Sequence, residues 1–267
     1  MIIHTPENHV LSLAQFAQGQ DWQLSLAHDR PYHMLFWITR GQGVALLDGL
    51  RRGVGAHNAL MVPAGSLFSL TLGRQSMGQV VLIPDGSPLR LPEIPRHLRI
   101  RDVHVQSELS GLIETAQREE LQKRALYHDA LETHIALITV WLRRQIMLDE
   151  HVPGKRNAAG RLSRRFSLAL SQNYRSGDTM AEYARALDVT PTHLARAVKS
   201  ATGKTAADLL TERVLHAALS LLLETDESAQ GIARYLGFGS AAYFTRFIQQ
   251  HAGHPPSKLR QPRRLTP

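Results

Sequence analysis

Gly177-Asp-Thr-Met-Ala-Glu-Tyr-Ala-Arg-Ala-Leu-Asp-Val-Thr-Pro-Thr-His-Leu-Ala-Arg-Ala-Val-Lys199 is the stretch that decides how this chain reads. Thr179 with Glu182 three residues later fits a capping box, so a helix begins there. Ala184 and Leu187 form its apolar face, and it stops at Asp188. Thr190 can cap a second helix, with Pro191 at the first helical position where a missing N–H costs nothing. Two short helices across a turn of about three residues make a helix-turn-helix pattern. In the second helix Leu194 and Val198 lie one turn apart and point inward. Thr192, Ala195, Arg196 and Lys199 then point outward, toward a groove if the partner is duplex DNA.

The arrangement returns about fifty residues later. Ser228-Ala-Gln-Gly-Ile-Ala-Arg-Tyr-Leu-Gly-Phe238 is again a short helix ending at a glycine, and Ser240-Ala-Ala-Tyr-Phe-Thr-Arg-Phe-Ile-Gln249 follows as the second. Phe244 and Ile248 turn inward, and Ser240, Ala241, Thr245 and Arg246 outward. Thr205 to Glu224 connects the copies, with Leu210, Val214, Ala217 and Leu221 spaced for one buried face. A helix of this length is roughly 30 Å long, close to the ~34 Å between successive major-groove entries on one face of B-DNA. A rigid connector of this size can hold two recognition helices in adjacent grooves.

Charge agrees with that geometry. The 267 residues carry 31 Lys+Arg and 23 Asp+Glu, net +8. Residues 1–157 hold 16 basic and 15 acidic residues, net +1, whereas residues 158–267 hold 15 and 8, net +7. A basic C-terminal part points to a polyanion. The absence of cysteine excludes a disulfide scaffold, a thiolate zinc finger, an iron–sulfur cluster and a cysteine nucleophile. Met1-Ile-Ile-His-Thr-Pro-Glu7 has neither a basic start nor a long apolar core, so no signal peptide is read there. The longest apolar run, Ile135 to Leu142, falls far short of the ~20 residues of a membrane span. The expectation is a soluble, cytoplasmic protein without a membrane partner.

Residues 1–95 read as β: short apolar segments such as Met34–Thr39, Gly43–Leu47, Ala59–Val62 and Gln79–Ile83 alternate with glycine- and proline-bearing turns. That spacing favours an antiparallel barrel or sandwich. Residues 107–149 switch to a helical period, with stripes Leu109, Leu112, Ile113, Ala116 and Leu131, Ile135, Ile138, Leu142, the latter widened by Leu137 and Trp141. Two helices meeting near Arg124–Tyr127 are expected, the second packing on the barrel and on a second subunit. His151 to Asn157 is the best linker. The expected organisation is therefore residues 1–150, a linker at 151–157, and a helical domain at 158–262 with its two motifs near 179–200 and 228–250.

The tandem pattern resembles a known family. Ala184…Leu187-Asp-Val-Thr-Pro-Thr-His-Leu-Ala-Arg196, Gly203-Lys-Thr205, Ile232-Ala…Leu236-Gly-Phe238, Tyr243-Phe-Thr-Arg246 and Pro256-Ser-Lys-Leu-Arg260 look like the AraC/XylS transcriptional regulators over about 100 residues. The resemblance implies a monomer reading two adjacent grooves, attached to a sensing and dimerising domain. It places base-facing positions at Thr192, Ala195 and Arg196, and at Ala241, Ala242 and Arg246. Two small alanines, and Gln249 where the family often has Lys, imply that the second copy reads fewer bases and grips the backbone less. Arg213 stands one place early in the connector helix.

Arg40-Gly-Gln-Gly43 and Asn58 to Phe68 are similar to the family's cupin-like sensing domain. Cupin enzymes hold a metal with His and Glu, but Phe68 stands where the later His would be and Met34–Thr39 offers no Glu. His128 and Glu132, at i and i+4, lack a third partner. No metal, no cofactor and no catalytic residue is therefore expected. The fold class is α+β multidomain: an N-terminal antiparallel β-barrel, cupin-like, with dimerisation helices, and a C-terminal all-α tandem helix-turn-helix domain. The expected function is a sequence-specific DNA-binding transcription regulator, not an enzyme. Its partners are double-stranded DNA, a second copy through helices in 107–149, RNA polymerase if it activates, and a small-molecule effector lined by Tyr32, Phe36, Trp37 and Phe68. The competing reading is a metal-dependent cupin-type enzyme with an accessory helical domain.

Overall fold

In the computed structural model, which describes residues 7–148 and 157–260, strand β2 (Tyr32–Arg40) organises the N-terminal half. It is apolar on both faces because both are covered. Met34, Phe36 and Ile38 point into one core and Leu35 and Trp37 into another. β2 lies between β7 (Met77–Pro84) and β5 (Asn58–Val62), with β1 (His9–Ser12) and β8 (Arg96–Arg99) outside them, giving a five-stranded sheet ordered β1-β7-β2-β5-β8. A second sheet, β4-β3-β6, contains Leu50–Gly55, Gln42–Leu47 and Phe68–Leu72. All ladders are antiparallel.

The expected closed barrel is not what forms. No strand ladder joins the two sheets among the described residues; β2 and β3 follow each other in sequence yet pair with different partners. Gly41 separates them at φ 97°, and a Cβ there would overlap Ser76, so the chain breaks its strand and crosses to the other sheet. The result is a two-sheet sandwich with its core between Phe36, Leu60 and Val80 on one side and Ala45, Phe68 and Leu70 on the other.

Helices α3 (Val103–Gln122) and α4 (Tyr127–Met147) cover the outer face of the five-stranded sheet and separate at Lys123–Leu126, where the sequence places the break. Leu109, Ile113, Ala116, Leu131, Ile135, Ile138 and Leu142 are buried there, and Leu112 is half-buried. Leu137, Val140 and Met147 remain exposed on α4. Two further short helices, α1 (Leu13–Phe16) and α2 (Trp22–Ser25), precede β2. Most of the expected linker lies outside the described residues; Asn157 accepts the Gly160 N–H and caps the helix that follows.

The C-terminal region is helical: α5 (Ala158–Asn173), α6 (Met180–Ala186), α7 (Pro191–Thr202), α8 (Ala206–Glu224), α9 (Ala229–Tyr235), α10 (Ala241–Ala252) and α11 (Pro256–Leu259). Its cores are shared with the sandwich. Ala27, Leu46 and Leu67 pack among the apolar side chains of α5–α7, and Trp22 and Leu26 against those of α8–α10. No helix of the described residues is long and apolar enough to cross a membrane.

Candidate nucleic-acid interface

Local chemistry sets both helix-turn-helix units. At the start of α6 the Thr179 hydroxyl accepts the Glu182 N–H, and the Glu182 carboxylate accepts the Thr179 N–H at 2.6 Å. Hydrogen bonds from the Thr179 backbone and hydroxyl hold the Glu182 carboxyl below the usual carboxylate range. The turn is made by Asp188 at φ 58°, a left-handed conformation that a short polar side chain tolerates. Thr190 then accepts the His193 N–H, and Pro191 opens α7. In α7, Leu194, Ala197 and Val198 are buried, whereas Thr192, Ala195, Arg196 and Lys199 are exposed. The outward face inferred from spacing is thus an accessible surface.

The second unit repeats the backbone with other residues. Ser228 accepts the Gly231 N–H, and Gly237 makes the turn at φ 77°. Phe244 and Ile248 of α10 are fully buried, leaving Ala242 and Arg246 exposed and Ala241 and Thr245 half-exposed. Ser240 is exposed but stands at the N-cap, its hydroxyl accepting the Tyr243 N–H at 3.1 Å. Its exposure agrees with the outward placement, and the cap is a second role that the spacing did not give. Tyr243 is 56% exposed beside Phe238 and belongs to the same surface. Sequence spacing missed it, although its place directly before inward Phe244 was the available signal.

Helix α8 joins the units without a break over 19 residues. Thr205 and Asp208 form a capping box at its start, and Arg260 donates to the Leu222 carbonyl near its end. The expectation of one buried face is too modest. Leu210 and Leu221 are only half-buried, while Arg213, Leu215, His216, Ala218 and Leu219 are buried as well. The N-terminal residues cover this second side: Arg213 Nε donates to Asp29 at 2.5 Å, its guanidinium stacks on Tyr174, and Glu212 accepts the Ala27 N–H.

Tyr32, Phe36 and Phe68 come together in the sandwich core, with Phe36 and Phe68 ring centroids 5.7 Å apart. Trp37 does not join them; alternation along β2 sends it to the opposite face, where its indole N–H donates to Ser110. Among the described residues no three His, Asp or Glu side chains gather as a metal site. His128 lies 3.8 Å from Glu7 on the surface.

Comparison with known proteins follows the same division of the chain. Residues 183–262 match the family model described as a helix-turn-helix domain. Over 92 residues, 34% of the chain, the sequence is 26% identical to the bifunctional transcriptional activator/DNA repair enzyme AdaA of Bacillus subtilis, and the match spans 44% of that protein's length. Among solved structures, the C-terminal domain of AraT, a response regulator from Geobacillus stearothermophilus, is 26% identical, with a TM-score of 0.38 over 41% of this chain and 92% of that one. ToxT from Vibrio cholerae is 11% identical, with a TM-score of 0.43 over 94% and 96% of the two chains. The C-terminal region is thus a helix-turn-helix domain, the DNA-binding class. Within that class, residues 183–262 are similar to the helix-turn-helix domain of AraC-type regulators.

Proposed function

We propose that this protein is a sequence-specific DNA-binding transcription regulator, and not an enzyme, that inserts α7 and α10 into adjacent major grooves. The observation that carries the reading is a pair of capped helices, each with a buried apolar side and an accessible side bearing an arginine, at the two ends of one unbroken helix. Nineteen residues of α helix span about 28 Å, near the ~34 Å repeat of the duplex. Arg196 and Arg246 are the base-reading candidates, since a guanidinium can donate two hydrogen bonds to guanine. Thr192, Ala195, Ala241, Ala242 and Thr245 shape the contact, and Lys199 suits phosphate.

The exposed Leu137, Val140 and Met147 of α4 support a homodimer placing two such domains on repeated half-sites. Cytoplasmic action, with RNA polymerase as a further partner for an activator, belongs to the same reading. Effector control would act through the sandwich core at Tyr32, Phe36 and Phe68, and would require an effector that binds the DNA-competent state differently from the other. The repair activity in the name of AdaA is not carried over.

Titration of duplex DNA at rising salt tests the reading. Neutralising about six phosphates gives a slope near −5 in log affinity against log salt. Absence of duplex binding, or binding indifferent to salt, would refute it.

A further inference from the structure

Between the sandwich and α8 lies a buried layer that reading DNA does not require. His28, from the segment after α2, and His216, in the middle of α8, stack ring on ring with centroids 3.9 Å apart and planes within 4°. Both are buried, between Phe68 of β6 on one side and Trp22 of α2 on the other. His28 Nδ1 lies 2.8 Å from the Leu26 carbonyl, and His216 hydrogen-bonds the Gln23 carbonyl. A carbonyl only accepts, so Nδ1 of each ring carries the hydrogen. Nε2 of each is buried without a hydrogen-bond partner in the protein. This arrangement suits two neutral imidazoles: a proton added at either Nε2 would be a buried donor with no acceptor.

The surrounding charges oppose protonation too. Arg30 beside β2 and Arg213 on α8 are the cations acting on both rings. Of the nearby carboxylates, Asp29 pairs with Arg213, Glu212 with Lys204 and the Ala27 N–H, and Glu224 accepts the Gln23 amide through Oε1 while its Oε2 is buried without a partner; none of them is among the charges that act on either ring. The hydroxyls of Tyr32 on β2 and Tyr174 after α5 also lie near these arginines, with Arg175 and Tyr235 beyond Tyr174.

We infer that the His28–His216 stack is an acid-sensitive latch between the sandwich and the connector helix α8, closed while both rings are neutral and opened by protonation. Burial first, then the neighbouring positive charges, holds both imidazoles well below the usual histidine range. The closed state therefore binds fewer protons than the open one, so its advantage is full above the ordinary histidine pKa near 6.5 and is lost as pH falls below it. Between pH 7.5 and 5.5 the closed-to-open ratio drops about tenfold per histidine, about a hundredfold for both. Two further inter-region contacts away from α8, Ser163 Oγ to the Gly49 carbonyl at 2.7 Å and Arg164 to Asp48 at 3.0 Å, contain no histidine. Opening therefore starts at α8, the element that carries both helix-turn-helix units.

The Ala27 amide, hydrogen-bonded across the interface to Glu212, reports even rare opening through its hydrogen-exchange protection. In the full chain that protection, corrected for intrinsic exchange, should fall about a hundredfold from pH 7.5 to 5.5. In the His28→Phe/His216→Phe chain, whose rings stack but cannot titrate, it should change less than threefold. A flat profile in the native chain, or an equal fall in the double variant, overturns the latch. Imidazole nitrogen spectra of the native chain serve if the double variant folds poorly. Rings that stay neutral until Ala27 loses protection support the latch, and rings that protonate at ordinary histidine pH beneath a protected Ala27 overturn it.

Discussion

The first helix-turn-helix unit turns on Asp188 and the second on Gly237, two different solutions to one left-handed backbone position. The reason lies in what each turn meets. A Cβ on Gly237 would sit 2.4 Å from the Arg175 carbonyl oxygen and 3.0 Å from the Gly177 nitrogen, both rigid backbone. The second turn is thus pressed against the loop that leads into α6, and only glycine fits. The caps differ as well: Thr179 has Glu182 to complete a reciprocal pair, whereas Ser228 has Gly231 at that position and caps alone. Surroundings follow suit. Ala27, Leu46 and Leu67 of the sandwich complete the first unit's core, while Phe238, Phe244 and Phe247 form an aromatic cluster in the second. Equal helix geometry is reached by unequal chemistry, which means that the geometry is what both units need in common.

Substitution at the turns should give the largest contrast. Gly237→Ala combines left-handed strain with backbone overlap and should cost about 3 kcal/mol in chemical denaturation. Asp188→Gly, at the matching position, should change stability by less than about 1 kcal/mol. Equal effects would mean that the contact with Arg175 and Gly177 does not distinguish the turns. On DNA the difference should be smaller: Arg196→Ala and Arg246→Ala should each weaken the cognate site by about 1–3 kcal/mol and relax preference at one base pair. Loss of equal size on random duplex would recast that arginine as a backbone contact. The smallest contrast is at the caps. Thr179→Ala should lower stability by about 1 kcal/mol and Ser228→Ala by about 0.5 kcal/mol, read from thermal melts. A larger loss at Ser228 would reverse the ranking of the two caps.

What could be read from the sequence was whatever is decided within a few residues. Thr179 and Thr190 announce helix starts because their hydroxyls bond N–H groups three residues ahead, and both do so in the fold. Leu194, Val198, Phe244 and Ile248 face inward because helical period alone demands it. The strand spacing allows a barrel or a sandwich, and the expected barrel gives way to a sandwich because closure depends on which distant strands share ladders, while β2, apolar on both sides, carries no alternation to show its two faces. The same blindness hid the crowding around α8. Arg213 and His216 look like surface letters, yet each finds a partner more than 180 residues upstream, in Asp29 and His28. Trp37 and Phe36 both stand in the expected effector lining, whereas strand pleating puts these adjacent residues on opposite faces.

Selection of bound fragments from genomic DNA with the full chain tests the central claim most directly. The account predicts one enriched site made of two short blocks whose centres lie about 10 base pairs apart. Arg196→Ala should flatten preference within one block and Arg246→Ala within the other. Recovery of no sequence above background, or of a single block indifferent to both substitutions, would contradict it.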